Sequence, residues 1–245
     1  MSTLDATQRN SDKKKGKRKK RGKKIRNMLK KMSIYYLNVR DLKSKWTSFQ
    51  ERVSALKPSI IALTETWLKE EDQVKLEGYD RIYRNEREGV GGGILIAIHN
   101  NLKNVVCEVS RCKDLLESIW IVLDNTKVKM KIGVLYFPQE KDVTQMEMET
   151  MYENINEEIK EGRGKSQTVM AIGDFNCKVG SVITGNKKEK TAGGKMLIKL
   201  QKEEKMTLIN ATEKCKGIWT RSENGSKSVL DYVLMTKENK MKMAC

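Results

Sequence analysis

Five polar residues close or interrupt apolar, strand-like runs: Asn38, Glu65, Asp174, Asn176 and Asp231. In a layered α/β fold, strand ends deliver their side chains to a shared crevice, so such residues meet although they are far apart in sequence. Asp174 and Asn176 stand two apart in Gly173-Asp174-Phe175-Asn176, and on an extended backbone that spacing points both to one side. A charge placed after a buried strand needs a partner. A hard cation such as Mg²⁺ takes oxygen ligands, often one or two carboxylates with water and phosphate completing the shell. Glu65 suits that duty, with Asn38 as a neutral oxygen nearby. A second carboxylate can take the proton of a water attacking phosphorus, and an Asn can hold that water or donate to a phosphoryl oxygen. No Ser or Cys nucleophile with a His base is apparent, so the set suits phosphodiester hydrolysis better than acyl transfer. Taken singly, each residue also fits a solvated turn or a helix cap, and for Glu65 alone that reading is the stronger one.

The elements that must position these residues alternate in type. A strand is expected over Ser33 to Val39. A helix N-capped by Ser44 follows, with Trp46, Phe49, Val53 and Leu56 on one face, and Pro58 stops it. The buried strand Ser59 to Thr64 completes a unit of βαβ size. Gly91-Gly92-Gly93 introduces a strand from Ile94 to His99, and Val105 to Val109, Glu117 to Leu123 and Val128 to Tyr136 continue the β pattern, with Asp124-Asn125-Thr126 as a hairpin turn. Met146, Tyr152, Ile155 and Ile159 mark a helix ended by Gly162 and Gly164, and Thr168 to Ile172 is a buried strand. A helix over roughly Ala192 to Lys205 precedes strands at Thr207 to Asn210, Ile218 to Thr220 and Val229 to Met235. About ten strands exceed a single open sheet. Two stacked sheets with helices on the outer faces bury both apolar faces.

Charge is unevenly distributed. Residues 1–32 hold 14 Lys and Arg against two Asp, which is +12 of the formal +17. Lys13, Lys14, Lys15, Lys17, Arg18, Lys19, Lys20, Arg21, Lys23 and Lys24 form a basic arm with almost nothing to bury, expected to be disordered alone. Such an arm suits counterion release from a phosphate backbone or a nuclear address, and equally a solvated low-complexity tail. Residues 33–245 are expected to form the domain. Five cysteines at 107, 112, 177, 215 and 245 include no Cys-x-x-Cys pair, which argues against a disulfide framework or structural zinc and fits a reducing compartment. No apolar run is long enough to cross a bilayer and none follows the basic N-terminus, so an intracellular, nuclear protein with no membrane partner is expected.

An ordered series then carries a family resemblance: Leu-Asn38-Val-Arg, Leu-Thr-Glu65-Thr-Trp, Gly-Gly-Gly93-Ile, Glu117-Ser-Ile-Trp, Leu-Tyr136-Phe-Pro, Gly-Asp174-Phe-Asn176, Trp-Thr220 and Ser228-Val-Leu-Asp231-Tyr. Over about Ser33 to Lys237 the chain resembles the endonuclease/exonuclease/phosphatase superfamily. It is most similar there to the apurinic-endonuclease-like domains of non-long-terminal-repeat retrotransposons and their craniofacial development protein 2-like relatives. The resemblance implies an α/β fold, a four-layer α/β/β/α sandwich of two mixed sheets flanked by helices. It implies Mg²⁺-dependent phosphodiester hydrolysis, as a DNA endonuclease of retrotransposon origin, with Mn²⁺ as an alternative cofactor and DNA as the partner. Glu65 would bind the metal with Asn38, and Asp174 would orient or deprotonate the attacking water. Asn176 would support that water and the phosphate, Tyr136 would contact the scissile phosphate, and Thr220 would help build the substrate-side wall. Asp231 would orient a phosphate-binding histidine.

The family pattern continues to a Ser-Asp-His motif that does not occur before Cys245, so the chain is expected to be C-terminally truncated. Loss of one member of a catalytic unit predicts a rate lower by orders of magnitude. The single histidine, His99, matches no functional family position and is expected at a surface or strand end. Two alternatives stand beside the endonuclease: a catalytically silent nucleic-acid-binding module, and a phosphatase or lipid phosphodiesterase of the same fold. Glu117 fits either the site or simple cross-strand pairing. Trp46, Trp67, Trp120 and Trp219 are expected in the core, and Gly89 to Gly93 lacks the Gly-Lys-Ser/Thr ending of a phosphate loop.

Overall fold

Short aliphatic runs that are buried along their whole length form internal strands, and Ile60–Thr64, Ile94–Ile98 and Asp231–Met235 are of this kind. The computed structural model describes residues 32–245 apart from 88, 90, 103–104, 113–114, 126–127, 184–189, 214, 217–219, 224–225, 237–242 and 245. The chain divides into two units, Met1–Ser33 and Ile34–Cys245. The basic arm, from Lys13 to Lys24, lies outside the described residues.

The first half of Ile34–Cys245 supplies β1 (Ile34–Asn38), α1 (Trp46–Leu56), β2 (Ile60–Thr64), β3 (Arg81–Asn85), β4 (Ile94–Ile98), β5 (Val106–Cys112), β6 (Glu117–Asn125) and β7 (Val128–Tyr136). The second supplies α2 (Gln145–Gly164), β8 (Thr168–Asp174), α3 (Ala192–Glu203) and β9 (Thr207–Leu208). Short strands β10 (Cys215–Lys216), β11 (Arg221–Glu223) and β12 (Ser226–Ser228) precede β13 (Asp231–Met235) and β14 (Met243–Ala244).

Sheet one has the order β1-β2-β4-β3, and sheet two the order β5-β6-β7-β8-β13-β9. Both are mixed, because β1 runs parallel to β2 and β7 parallel to β8 while the other pairs are antiparallel. Phe49 and Val53 of α1 pack on Ile61, Leu63, Leu95 and Ala97, on the outer face of sheet one. Met148, Met151, Tyr152, Ile155 and Ile159 of α2, with Leu197 and Leu200 of α3, cover Leu135, Val169, Ala171, Tyr232 and Leu234 of sheet two. Between the sheets β2 meets β7, β4 meets β6 and β7, and β1 meets β8. The fold is thus the expected four-layer α/β/β/α sandwich.

Local chemistry explains most element boundaries. The side chain of Thr144 and that of Glu147 cap α2 reciprocally, with Glu147 N–H donating to Thr144 Oγ1 at 3.3 Å and Thr144 N–H donating to Glu147 Oε2 at 2.7 Å. Ser44 is not the cap of α1. That position belongs to Lys45, and the Ser44 hydroxyl donates to the Asp41 carbonyl at 3.1 Å. Gly162 does not end α2 but lies inside it, where a Cβ would meet Val169 Cγ2 at 2.6 Å, so its missing side chain lets the helix sit close on sheet two. Strand β3 has no apolar alternation to announce it. Arg84 fastens it from the side, donating to the carbonyls of Asp72 and, at 2.7 Å, Lys69.

The expected strand from Thr207 shortens to two residues. Asn210 then replaces it against the edge of β13, accepting from Val233 N–H at 2.8 Å and donating to the Asp231 carbonyl at 3.1 Å. Trp219 and Thr126 lie outside the described residues. Cys177 is a free thiol, and no described helix is long and apolar enough to cross a membrane.

Close approach of β7 to β8 depends on Gly173, where a Cβ would lie 1.9 Å from the Leu135 carbonyl oxygen. Gly173→Ala must therefore push these two strands apart. The expected loss is roughly 3 kcal/mol of stability in urea unfolding, with the same substitution at exposed Gly164 costing far less.

Candidate active site

One register row crosses sheet two at its edge. Glu117 is opposite Tyr136, Tyr136 is opposite Asp174, and Asp174 is opposite Asp231. Register partners on adjacent strands share a face, so four polar side chains project in line, and each of them meets a group of sheet one or of the loops that follow its strands. Asn38 Nδ2 donates to Asp174 Oδ2 at 2.8 Å, and the Tyr36 hydroxyl donates to Asp231 Oδ1 at 2.6 Å. Tyr36 and Asn38 are two apart on β1, which places both on the face toward sheet two. The Tyr36 hydroxyl also lies 3.0 Å from Thr64 Oγ1.

Glu65 completes the opposite wall. Its Oε1 accepts from the Tyr136 hydroxyl, and its Oε2 accepts from Trp67 Nε1 at 2.5 Å and from Gly92 N–H at 3.2 Å. Backbone strain puts it there. Among the described residues, Arg40, Asp41, Glu65, Trp67 and Asn176 have positive φ, and all five follow the ends of the strands that line the crevice. The other three such non-glycine residues, Lys57, Ser166 and Lys205, follow helices, where a left-handed residue is ordinary. Left-handed φ in Glu and Trp is costly and persists where surroundings enforce it. Here Asp41 N–H donates to the Glu65 carbonyl at 3.0 Å, and Thr66 and Trp67 N–H donate to the Gly93 and Gly92 carbonyls at 3.2 and 3.0 Å.

Asn176 does not share an extended backbone with Asp174, because β8 ends at Asp174 and Asn176 has φ of 45°. Its N–H instead turns back to Asp174 Oδ1 at 2.9 Å, and its Nδ2 donates to the Phe137 carbonyl at 2.7 Å. Thr220 supports Asp231 through the backbone, its Oγ1 accepting from Leu230 and Asp231 N–H at 3.0 and 3.2 Å. Asn38, Glu65, Tyr136, Asp174, Asn176, Thr220 and Asp231 are thus brought to one sheet edge. His99 lies past the other end of β4, edge-on to Tyr79 with ring centroids 5.2 Å apart.

Three further groups line this edge that the sequence did not assign to the site: Tyr36, Trp67, which was expected in the core, and the N–H groups of the glycine turn. The period of two from Tyr36 to Asn38 was the available signal for the first. Nothing in the residue types announces the left-handed turn that swings Trp67 out of the core. Glu117 does both things its sequence allowed: it sits opposite Tyr136, and its Oε2 accepts from Gly93 N–H at 2.6 Å.

Electrostatics follow from burial. Asp174 is 5% exposed, and burial, then the charge of Asp231, push its carboxyl up to about 7 against the stabilising N–H groups of Asn176 and Asn38. Burial also raises Asp231, opposed by the Tyr36 hydrogen bond. Burial raises the Tyr136 hydroxyl, with Glu65 adding to the effect, and burial raises Glu117.

Among the described residues no group of three or more His, Cys, Asp or Glu could hold a metal ion, so an all-protein cage is not available. Mg²⁺ keeps several waters and needs only one or two carboxylates. Three donors occupy Glu65, leaving one of its roughly four lone-pair sites open on Oε1. Asn38 turns its Nδ2 to Asp174, and among the described residues no group donates to its side-chain oxygen. One charged and one neutral oxygen fit a largely hydrated Mg²⁺.

Because both aspartates are raised, their protonated forms favour folding below the unfolded-state value of about 3.9, and that stability is lost as pH rises through their raised values, about 7 for Asp174. Asp231→Asn, which keeps an acceptor for Tyr36, should match the wild type near pH 4. At pH 8 it should be more stable by on the order of 1–2 kcal/mol in chemical denaturation, because a like charge opposite Asp174 is gone.

No family model and no curated protein matches the chain. Solved structures do match in fold. A 3′ phosphatase, NExo, from Neisseria, bound to product DNA hairpin, superposes with TM-score 0.66 at 14% identity, over 83% of this chain and 86% of that one. The endonuclease domain of TRAS1, a telomere-specific non-LTR retrotransposon, gives 0.56 at 18% identity, over 84% and 86%. A mannosyl-6-phosphatase of Bacteroides thetaiotaomicron gives 0.60 at 14% identity, over 85% and 86%. With its two helix-flanked mixed sheets and a polar row at their shared edge, the chain has the endonuclease/exonuclease/phosphatase fold.

Proposed function

We propose that the chain is a Mg²⁺-dependent phosphodiesterase acting on DNA as an endonuclease of retrotransposon type. The observation that carries this reading is the facing of Glu65 and Asn38 toward the row Tyr136, Asp174, Asp231 at one sheet edge. Glu65 Oε1 and the side-chain oxygen of Asn38 would hold the cation, which would supply positive charge to phosphoryl oxygens. Mn²⁺ meets the same oxygen ligands.

Asp174 is the base that takes a proton from water. Its carboxyl is fixed on one side by Asn38 and on the other by the Asn176 N–H, and its raised value sets it near neutrality. Asp231 stands opposite it on β13 and is itself held by Tyr36 and Thr220. Tyr136 stands between Glu65 and Asp174 and presents its hydroxyl to the scissile phosphate. Asn176 keeps its side-chain oxygen for the substrate-side wall, since its Nδ2 is occupied by Phe137. The basic residues from Lys13 to Lys24 add sequence-independent phosphate contacts and serve as a nuclear address.

A second reading, a phosphomonoesterase, has its own support in the two phosphatases of like fold. The deciding experiment is nicking of supercoiled plasmid by purified protein, beside a 3′-phosphorylated oligonucleotide and a sugar phosphate. Nicking should require Mg²⁺, stop with EDTA, and fall about a thousandfold or more in Asp174→Ala. Release of inorganic phosphate without nicking would replace the endonuclease by a phosphatase. Salt-sensitive DNA binding with neither reaction would leave a binding module.

A further inference from the structure

We propose that Glu117 is a positioning residue for Glu65, acting through the Gly91–Gly93 turn, and that it thereby sets the affinity of the site for a divalent cation. The cation part rests on the function proposed above. Gly91, Gly92 and Gly93 have φ of 84°, 71° and 88°. Three left-handed residues in succession, tolerated because they are glycine, turn adjacent N–H groups to two different carboxylates. Gly93 N–H donates to Glu117 Oε2 at 2.6 Å, and Gly92 N–H donates to Glu65 Oε2 at 3.2 Å. These amides belong to the two peptide planes that meet at the Gly92 Cα, so holding one plane restricts the other to the φ and ψ that Gly92 allows.

Glu117 is itself immobile at the start of β6. It is 3% exposed and sits opposite Tyr136, which donates to Glu65 Oε1. One cross-strand pair therefore governs both oxygens of Glu65, Tyr136 directly and Glu117 through the turn. A Cβ on Gly92 would lie 2.4 Å from Glu117 Oε1 and 2.7 Å from Arg87 Cδ, so no side chain fits where turn and carboxylate meet.

The plainer reading makes Glu117 only the partner of Arg87. That pair is weak evidence for its burial: Glu117 Oε1 makes no hydrogen bond, Arg87 Nη1 is 3.7 Å away, and the Arg87 side chain is 42% exposed. A buried carboxylate is poorly compensated by a solvated cation beyond hydrogen-bond distance. Its one short bond goes to the turn.

The test uses full-length protein labelled with ¹⁵N, with Glu117→Ala, Glu117→Gln and Arg87→Ala. The first readout is the indole N–H resonance of Trp67, assigned with Trp67→Phe, because this group donates to the same Glu65 oxygen as Gly92. The second is Mn²⁺ binding followed by the electron paramagnetic resonance of the free ion. Glu117→Gln, whose amide oxygen still accepts from Gly93, should keep the Trp67 resonance and bind Mn²⁺ within about threefold of wild type. Glu117→Ala should move the resonance and weaken Mn²⁺ binding about tenfold or more, as loss of an outer partner of a metal ligand does. Arg87→Ala should change neither.

A folded Glu117→Ala protein with an unmoved resonance and unchanged Mn²⁺ affinity overturns the proposal. So does Glu117→Gln behaving like Glu117→Ala, or Arg87→Ala weakening Mn²⁺ tenfold with Trp67 unmoved, since either makes charge the cause. The second and third variants decide the matter if Glu117→Ala does not fold. Wild-type protein that binds no Mn²⁺ refutes the proposed function, while the Trp67 resonance still tests the positioning of Glu65 without metal.

Discussion

Asp174 and Asp231 face each other across an antiparallel strand pair, buried and alike in charge. Two such carboxylates are destabilising unless donors surround them, and the architecture around the crevice supplies those donors from every direction. β1 sends Tyr36 and Asn38 across from the other sheet, the turn after β8 returns the Asn176 N–H, and Thr220 braces the backbone at Asp231. These bonds also tie sheet one to sheet two at the edge, where the apolar interior thins out. The same contacts therefore orient the polar groups and close the sandwich.

The opposite wall meets a related problem by a different device. Glu65 follows a wholly buried strand, and its carboxylate reaches the crevice because the chain there leaves the extended region. Left-handed residues at Glu65 and Trp67 are matched by the glycines of the turn they pair with, so the Gly92 N–H and the Trp67 indole saturate one oxygen of the carboxylate. Strain of this kind is usual at ligand sites because it holds a side chain in one arrangement before anything binds. The apolar layers pay for it: α1 on one outer face and α2 with α3 on the other fasten the strands whose ends are strained.

Half-buried Asn210 beside β13 shows how this side of sheet two avoids open pairing. A strand there would have continued β9, but an amide side chain makes both contacts that a neighbouring strand would have made. The chain leading from there to Thr220 can then leave the sheet and return to support Asp231. Topology at this corner is set by a single side chain that mimics the backbone.

Much of this was legible in the amino-acid order. Short apolar runs bounded by turn residues, such as Ile60–Thr64, read as buried strands, helix periods at Phe49 and Val53 or Ile155 and Ile159 mark covering helices, and polar residues at strand ends mark a crevice. These are local properties of residue type and period, which a sequence carries directly. What the tertiary structure alone decided is adjacency. Asn38 and Asp174 are 136 residues apart, and Tyr36 and Asp231 are 195 apart. Their meeting depends on strand order and register, which the burial of both sheets chooses collectively. Strand β3, polar along an edge, and the left-handed turns at Glu65 and Asn176 escaped for the same reason: each is a conformation enforced by neighbours distant in the chain, and no residue type encodes it alone.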